Sequence, residues 1–256
     1  MKNVICIKWG TLYGAEYVNK LNAMVRRHLS GDVRFICVTE NAEGIDAGVE
    51  IRPLPAMNIG DVGFTTGWRK LSIFSSELAD ITGPILFLDL DVIVVDSLDP
   101  FFEYEPGRFC IIENWTQMGQ NVGQSSVFRY ERDQCEPILK RYEADHLAIT
   151  QRWTNEQMYL TDAASPVVFW PEEWCRSFKH HLLKDAGKDR EPVLPPGARI
   201  IIFHGAPNPP EAAVGWWKRP NKIGSKPLER PFKKLRNWLF PIQRIQPATW
   251  IDKHWR

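Results

Sequence analysis

The stretch Leu86-Phe87-Leu88-Asp89-Leu90-Asp91-Val92-Ile93-Val94 sets two carboxylates directly against a run of apolar residues. With Ile85 it forms the most apolar segment of the chain and reads as a buried strand, short and bounded upstream by Gly83-Pro84. Charge is costly at the end of such a strand unless a partner compensates it. Residues two apart on an extended chain project to the same side, so Asp89 and Asp91 can grip one divalent cation. Carboxylate oxygens suit hard or borderline ions such as Mg2+ or Mn2+, and ligands of open α/β sheets collect at the carboxyl ends of strands. Taken alone, the tripeptide is equally compatible with two aspartates that merely cap the following loop and helix.

Outward from this strand, residues 4–8, 33–39, 49–54, 109–113, 127–130 and 199–203 read as further strands. Residues 16–29, 68–78, 135–142 and 155–161 carry apolar positions at helical spacing. Strands alternating with helices over some 200 residues predict an α/β domain on a mostly parallel, buried sheet. The length of 256 residues accommodates one large domain, and 44% hydrophobic with 25% charged residues excludes a disordered chain. No apolar run approaches the roughly 20 residues that span a bilayer, and the N-terminus lacks a signal-peptide pattern. Five scattered cysteines, odd in number and without a CxxC pair, predict reduced thiols and a cytoplasmic location.

The formal net charge of +1 is a cancellation. Residues 218–256 hold 11 basic and two acidic residues, a net of +9, which leaves −8 on residues 1–217. The composition shifts at the same point, so 1–217 is expected to be the catalytic domain and 218–256 a basic, aromatic C-terminal tail. Trp216, Trp217, Trp238, Trp250 and Trp255 all fall in the last 41 residues. Residues 233–240 and 250–255 combine cations with interfacial aromatics, as a peripheral contact with an anionic inner membrane face would. The same residues equally fit a segment that docks on the acidic body, because Pro220, Pro227, Pro231, Pro241 and Pro247 exclude one long amphipathic helix. The near-neutral total and the acidic body argue against nucleic acid as a partner.

A second motif, Ile200-Ile201-Ile202-Phe203-His204-Gly205-Ala206-Pro207-Asn208-Pro209, ends another apolar strand in a histidine. With both motifs in this order, the sequence resembles the metal-dependent, nucleotide-sugar glycosyltransferases of the GT-A fold, most closely glycosyltransferase family 8 and bacterial lipopolysaccharide glycosyltransferases. The resemblance implies a Rossmann-like single domain with a mixed, mostly parallel sheet. It also implies Asp89, Asp91 and His204 as ligands of Mn2+ or Mg2+. Asn208 stands where the related motif carries a lysine, and Lys218 or Arg219 would then supply the missing cation.

Further pieces agree in order. Lys8-Trp9-Gly10-Thr11 corresponds to the loop that holds base and ribose, and Gly67-Trp68-Arg69-Lys70-Leu71 to a basic patch before the DxD strand. Gly123-Gln124-Ser125-Ser126 corresponds to a strand whose polar side chain, Gln124 or Ser125, touches sugar. Asn155-Glu156-Gln157 corresponds to the residues near the anomeric carbon. The resemblance thus implies Glu156, Gln157 and Gln124 as catalytic residues. It implies Lys8, Trp9, Gly10, Thr11, Lys70, Asp89, Leu90, Asp91 and Gly205 as binding residues for a UDP-sugar donor.

The implied reaction is transfer of a sugar, with retention, to a glycan or lipid-linked hydroxyl in surface polysaccharide or lipopolysaccharide assembly. The alternative is a catalytically inactive relative that binds a sugar nucleotide or glycan as a scaffold, favoured by Asn208. The 89–98 segment also echoes the strand end of haloacid-dehalogenase-like phosphatases. Val92-Ile93 replaces the Gly-Thr turn of that motif, and three strand-like segments precede it, which argues against this rival.

Overall fold

The computed structural model describes residues 1–57, 67–187, 189–218 and 242–256. In chain order the elements begin with β1 (Lys2–Lys8), α1 (Ala15–His28), β2 (Val33–Thr39) and β3 (Glu50–Pro53). After two 3-10 segments, Gly67–Phe74 and Ser76–Leu78, come β4 (Ile85–Leu88), β5 (Val92–Val94), α2 (Asp99–Glu103), β6 (Cys110–Glu113) and β7 (Gly123–Tyr130). Three helices follow, α3 (Cys135–Ala144), α4 (His146–Arg152) and α5 (Glu156–Ala163). The C-terminal third holds β8 (Val168–Phe169), β9 (Cys175–Ser177), a π-turn (Phe178–Leu182), α6 (Leu183–Ala186), β10 (Ile200–Ile202) and α7 (Pro209–Val214). It closes with β11 (Trp216–Lys218), β12 (Ile242–Arg244) and α8 (Trp250–His254).

A seven-stranded sheet has the order β3-β2-β1-β4-β7-β6-β8. β3, β2, β1 and β4 run parallel, β7 is antiparallel to both β4 and β6, and β8 is parallel to β6. The chain builds outward from β1 to β3 and then returns to lay β4 on the other side of β1. The strand order therefore reverses between β1 and β4, where α/β sheets open a crevice at the strand carboxyl ends. Period-two alternation divides the strand side chains between two faces. Val4, Cys6, Phe35, Cys37, Leu86 and Leu88 pack on α1 through Val18, Leu21, Met24 and Val25. Ile5, Ile7, Ile36, Val38, Phe87 and Phe128 pack on Trp68, Leu71, Phe74, Ile138 and Leu160. All five cysteines are free and buried, Cys6 beside Cys37 in the β1–β2 ladder.

One expectation is corrected. Residues 68–78 form two 3-10 segments rather than one α-helix, broken at Ser75, whose hydroxyl accepts from the Glu77 N–H at 3.2 Å. Every residue from Trp68 to Phe74 is buried, including Arg69 and Lys70, so there is no solvated basic helix face. Asn208, which stands where the related motif carries a lysine, has a local structural role. It starts α7 in a capping box with Glu211, whose carboxylate accepts from the Asn208 N–H at 2.8 Å.

Residues 242–256 pack against the rest of the chain. Ala248 and Ile251 are fully buried in the α1-side core, and Trp255 meets Tyr17 edge-on with ring centroids 5.3 Å apart. The Lys20 ammonium lies 3.9 Å from the Trp255 ring and donates to the Trp255 carbonyl at 3.1 Å. The Trp250 and Trp255 part of the tail is thus docked on the body, whereas residues 233–240 lie outside the described residues. Among the described residues no helix is long and apolar enough to cross a membrane.

Arg129 on β7 is fully buried and ties that strand to the segment after β5. Its guanidinium donates to the carbonyls of Phe101 and Tyr104, each at 2.6 Å, and to those of Glu105 and Arg108. Arg129→Met keeps much of the volume but leaves these buried acceptors without donors. It is expected to lower stability by about 3 kcal/mol, read from the urea unfolding midpoint at unchanged m-value.

Candidate functional site

The site assembles because three chain turns end at one place. β4 stops at Leu88, and the Asp89 N–H continues its pairing with β7 by donating to the Ser126 carbonyl at 2.9 Å. The chain then crosses from the large sheet into a second sheet of order β5-β10-β9, so Asp89-Leu90-Asp91 forms the bridge between the two. Leu90 is buried in the core, while the aspartates before and after it face the crevice. β10 runs antiparallel to β5 with Ile202 opposite Val92, and the Phe203 N–H donates to the Asp91 carbonyl at 3.1 Å. β9 runs parallel to β10 with Ser177 beside Ile202. Asp91, His204 and Ser177 therefore meet as the ends of three adjacent strands.

Asp89 belongs to a buried ionic network. The Lys70 ammonium lies 2.9 Å from Asp89 Oδ1, donates to the Ser125 carbonyl at 2.9 Å and its hydroxyl at 3.1 Å, and is 3.9 Å from Glu156 Oε1. The Ser125 hydroxyl donates to the same Glu156 oxygen at 2.9 Å. Burial alone would lower the Lys70 ammonium's pKa, but Asp89 and Glu156 outweigh it and raise it. Glu156 opens α5, where Asn155 caps the helix by accepting from the Met158 N–H at 3.1 Å. Gly67 lets the main chain pass against this carboxylate, since a Cβ there would lie 2.3 Å from Glu156 Oε2.

Asp91 is buried and accepts from the Tyr13 hydroxyl at 2.8 Å. Burial, and then the neighbouring charge of Asp89, push its carboxyl up to about 7, against the opposing pull of Tyr13 and Lys70. His204 Nε2 lies 2.7 Å from the Ser177 hydroxyl, and the ring stacks on His180 at 5.1 Å and Trp115 at 5.8 Å. Burial, followed by Lys179 and His180, lowers its pKa to about 4, so the imidazole is neutral near pH 7.

The donor set fits a divalent cation in its chemistry. Two adjacent carboxylates, one of them held unfavourably charged, gain from a cation, and a neutral imidazole is the ligating form. Among the described residues, however, no three His, Cys, Asp or Glu side chains stand together as a ready metal cluster. Asp89 is engaged by Lys70, and His204 by Ser177.

The remaining candidates spread along the same edge of the sheet. Lys8 is buried at the end of β1 and donates to the Asn41 carbonyl at 3.4 Å. Trp9 packs against the core face that carries Trp68. Gly10, at φ +61°, donates its N–H to Glu40 at 2.6 Å, and Thr11 is exposed beside it. Gln124 spends its amide on Ser126, donating to its hydroxyl at 2.7 Å and accepting from its N–H at 3.0 Å, which leaves Ser125 as the residue joined to the ionic network. Gln157 is half-buried next to Glu156, and Gly205 turns the chain after His204 at φ +69°. Tyr13, Ser177 and Lys179 escape the sequence reading. For Tyr13 the available signal was the need of a buried carboxylate for a donor within the loop after the first strand.

The seven-stranded, mostly parallel central sheet matches that of solved glycosyltransferases. The fold is that of the GT-A glycosyltransferases. An active-site mutant of LgtC superposes with a TM-score of 0.59 at 14% identity, covering 81% of this chain and 89% of that one. The galactosyltransferase LgtC in complex with donor and acceptor sugar analogues gives 0.55 at 13% identity, over 81% and 88%. The glycosyltransferase GlyE of Streptococcus pneumoniae TIGR4 gives 0.57 at 13% identity, over 82% of this chain and 56% of that one. No protein-family profile and no curated protein sequence matches the chain.

The state of Asp91 yields a pH prediction. Its folded-state pKa of about 7 lies above the ordinary carboxylate value near 4, so the folded protein binds this proton more tightly than the unfolded chain does. The stability this proton provides is present below about pH 4 and is lost as pH rises through 7. Asp91→Asn removes the dependence. Thermal melts of the metal-free protein should show the variant gaining on wild type between pH 4 and 8, by at most about 4 kcal/mol. A difference that stays constant over this range contradicts the assignment.

Proposed function

We propose that the protein transfers a sugar from a nucleoside diphosphate sugar, a UDP-sugar in particular, to a hydroxyl of a glycan or lipid-linked acceptor, with retention of configuration. The observation that carries this reading is the aspartate bridge: a buried carboxylate raised to about 7, beside a second one, at the crevice where the strand order reverses. Such a pair in a GT-A fold favours a divalent cation and, through it, a diphosphate. Asp89 and Asp91 would hold Mn2+ or Mg2+, and His204 would complete the set by giving up its contact with Ser177. When bound, the metal stabilises the negative charge that develops on the leaving diphosphate.

The chain's own residues account for the rest. Lys70 offsets the charges of Asp89 and Glu156. Ser125 fixes Glu156 through a 2.9 Å hydrogen bond, which aims this carboxylate into the crevice from the start of α5. An anomeric centre bearing partial positive charge there is stabilised by Glu156, with Gln157 beside it. The loop of Lys8, Trp9, Gly10 and Thr11, at the end of β1 and thus at the same sheet edge, would receive the base and ribose.

Hydrolysis or transfer of radiolabelled UDP-glucose and UDP-galactose should require Mn2+ or Mg2+, stop on addition of EDTA, and fall at least about a hundredfold in Asp91→Ala. Turnover that survives both EDTA and Asp91→Ala refutes the reading. Tight nucleotide binding without turnover of any donor would instead identify a sugar-nucleotide-binding scaffold.

A further inference from the structure

The diphosphate of a nucleotide sugar brings about two negative charges to a site whose two carboxylates already offset one divalent cation, so a further cation beside it would stabilise it. Lys70 is unavailable, because its ammonium is spent on Asp89, Ser125 and Glu156. Lys8 is turned toward the Asn41 carbonyl on β2's side. Asn208 is uncharged and caps α7. Lys218 is exposed on β11, and Arg219 lies outside the described residues.

Lys179 differs from these. It sits in the π-turn directly after β9, whose end lies beside the end of β10. Its ammonium donates to the His204 carbonyl at 2.9 Å, and among the described residues no carboxylate lies within ion-pair distance of it. An ammonium has three donors, so two remain for a ligand. Gly205, at φ +69°, is the next residue of the turn, and a Cβ there would have the Lys179 ammonium as its nearest neighbour, at 3.7 Å. The main chain is thus left bare toward the cation. His180 and His204 stack alongside, with ring centroids 5.1 Å apart.

We propose that Lys179 is the residue that binds the diphosphate of the nucleotide donor, next to His204 and in the bare turn at Gly205. The assignment rests on the nucleotide-sugar reading above and adds to it a binding residue that comes from a different segment of the chain than either motif. No bond is made or broken by Lys179; it donates charge-assisted hydrogen bonds to phosphate oxygens.

Calorimetric titration with UDP and with uridine, in saturating Mn2+, tests it directly. Lys179→Ala should bind UDP about ten- to a hundredfold more weakly and leave uridine binding unchanged. Lys179→Arg should restore most of the UDP affinity, and Lys184→Ala, which alters an exposed lysine on α6, should match wild type. Lys179→Met keeps the aliphatic stem and serves if the alanine variant does not fold, as judged by near-ultraviolet circular dichroism. UDP binding by Lys179→Ala within twofold of wild type overturns the assignment while leaving the functional reading intact. Equal losses for UDP and uridine also overturn it, because they mark a structural role. A wild-type protein that binds neither UDP nor uridine overturns the functional reading and this assignment together.

Discussion

Two carboxylates are held at the one place where the chain steps from a large sheet into a small one. Asp89 and Asp91 flank Leu90, whose side chain anchors the step in the core, so neither aspartate can retreat to bulk water without unseating a buried leucine. Much of the surrounding structure supplies partners for these charges. Lys70 comes from a 3-10 segment buried on all sides, Tyr13 from the loop after β1, and the Ser126 carbonyl from the neighbouring strand. The compensation is uneven. Asp89 has a cation at 2.9 Å, whereas Asp91 accepts from the Tyr13 phenol and lies farther from Lys70, and its carboxyl is pushed up toward neutrality.

That imbalance connects fold to chemistry. The parallel strands β1, β2 and β4 bring their carboxyl ends to one edge, and β10 and β9 deliver His204, Ser177 and Lys179 to the same bridge from the second sheet. His204, Ser177 and Lys179 thus gather at the end of β10, next to the strand end that carries Asp91. A metal beside the aspartates and a phosphate beside Lys179 would each relieve a burial penalty present in the protein alone.

Much of the frame was legible in the sequence. The strand at Ile85–Leu88 and the strands before it are short apolar runs bounded by turn residues, and the pattern of burial follows them closely. The segment from Trp68 to Leu78 was misread because Leu71, Phe74 and Leu78 keep helical spacing in either helix type, and spacing does not reveal that Arg69 and Lys70 are buried too. At the C-terminus, composition registers cations and tryptophans but not the partners that receive them. Ile251, Trp250 and Trp255 dock through contacts with α1 and the Phe178 ring, more than 70 residues away in sequence. The same holds within the site. Asp89, Asp91 and His204 stood out because each ends an apolar strand, whereas Ser177 and Lys179 reach His204 only through the β9–β10 pairing, which leaves no local signature. The capping role of Asn208 belongs to the helix that follows it, so the motif alone does not reveal it.

The aspartate bridge is proposed as a cation site completed by His204. A crystal of the protein grown with Mn2+ and UDP, with anomalous diffraction recorded at the manganese edge, tests it most directly. A cation site there gives a single strong anomalous peak ligated by Asp89, Asp91 and the His204 imidazole, with the diphosphate of UDP on the same ion. A manganese ion bound elsewhere, or UDP bound with Asp91 still held only by Tyr13 and His204 still on Ser177, would contradict it.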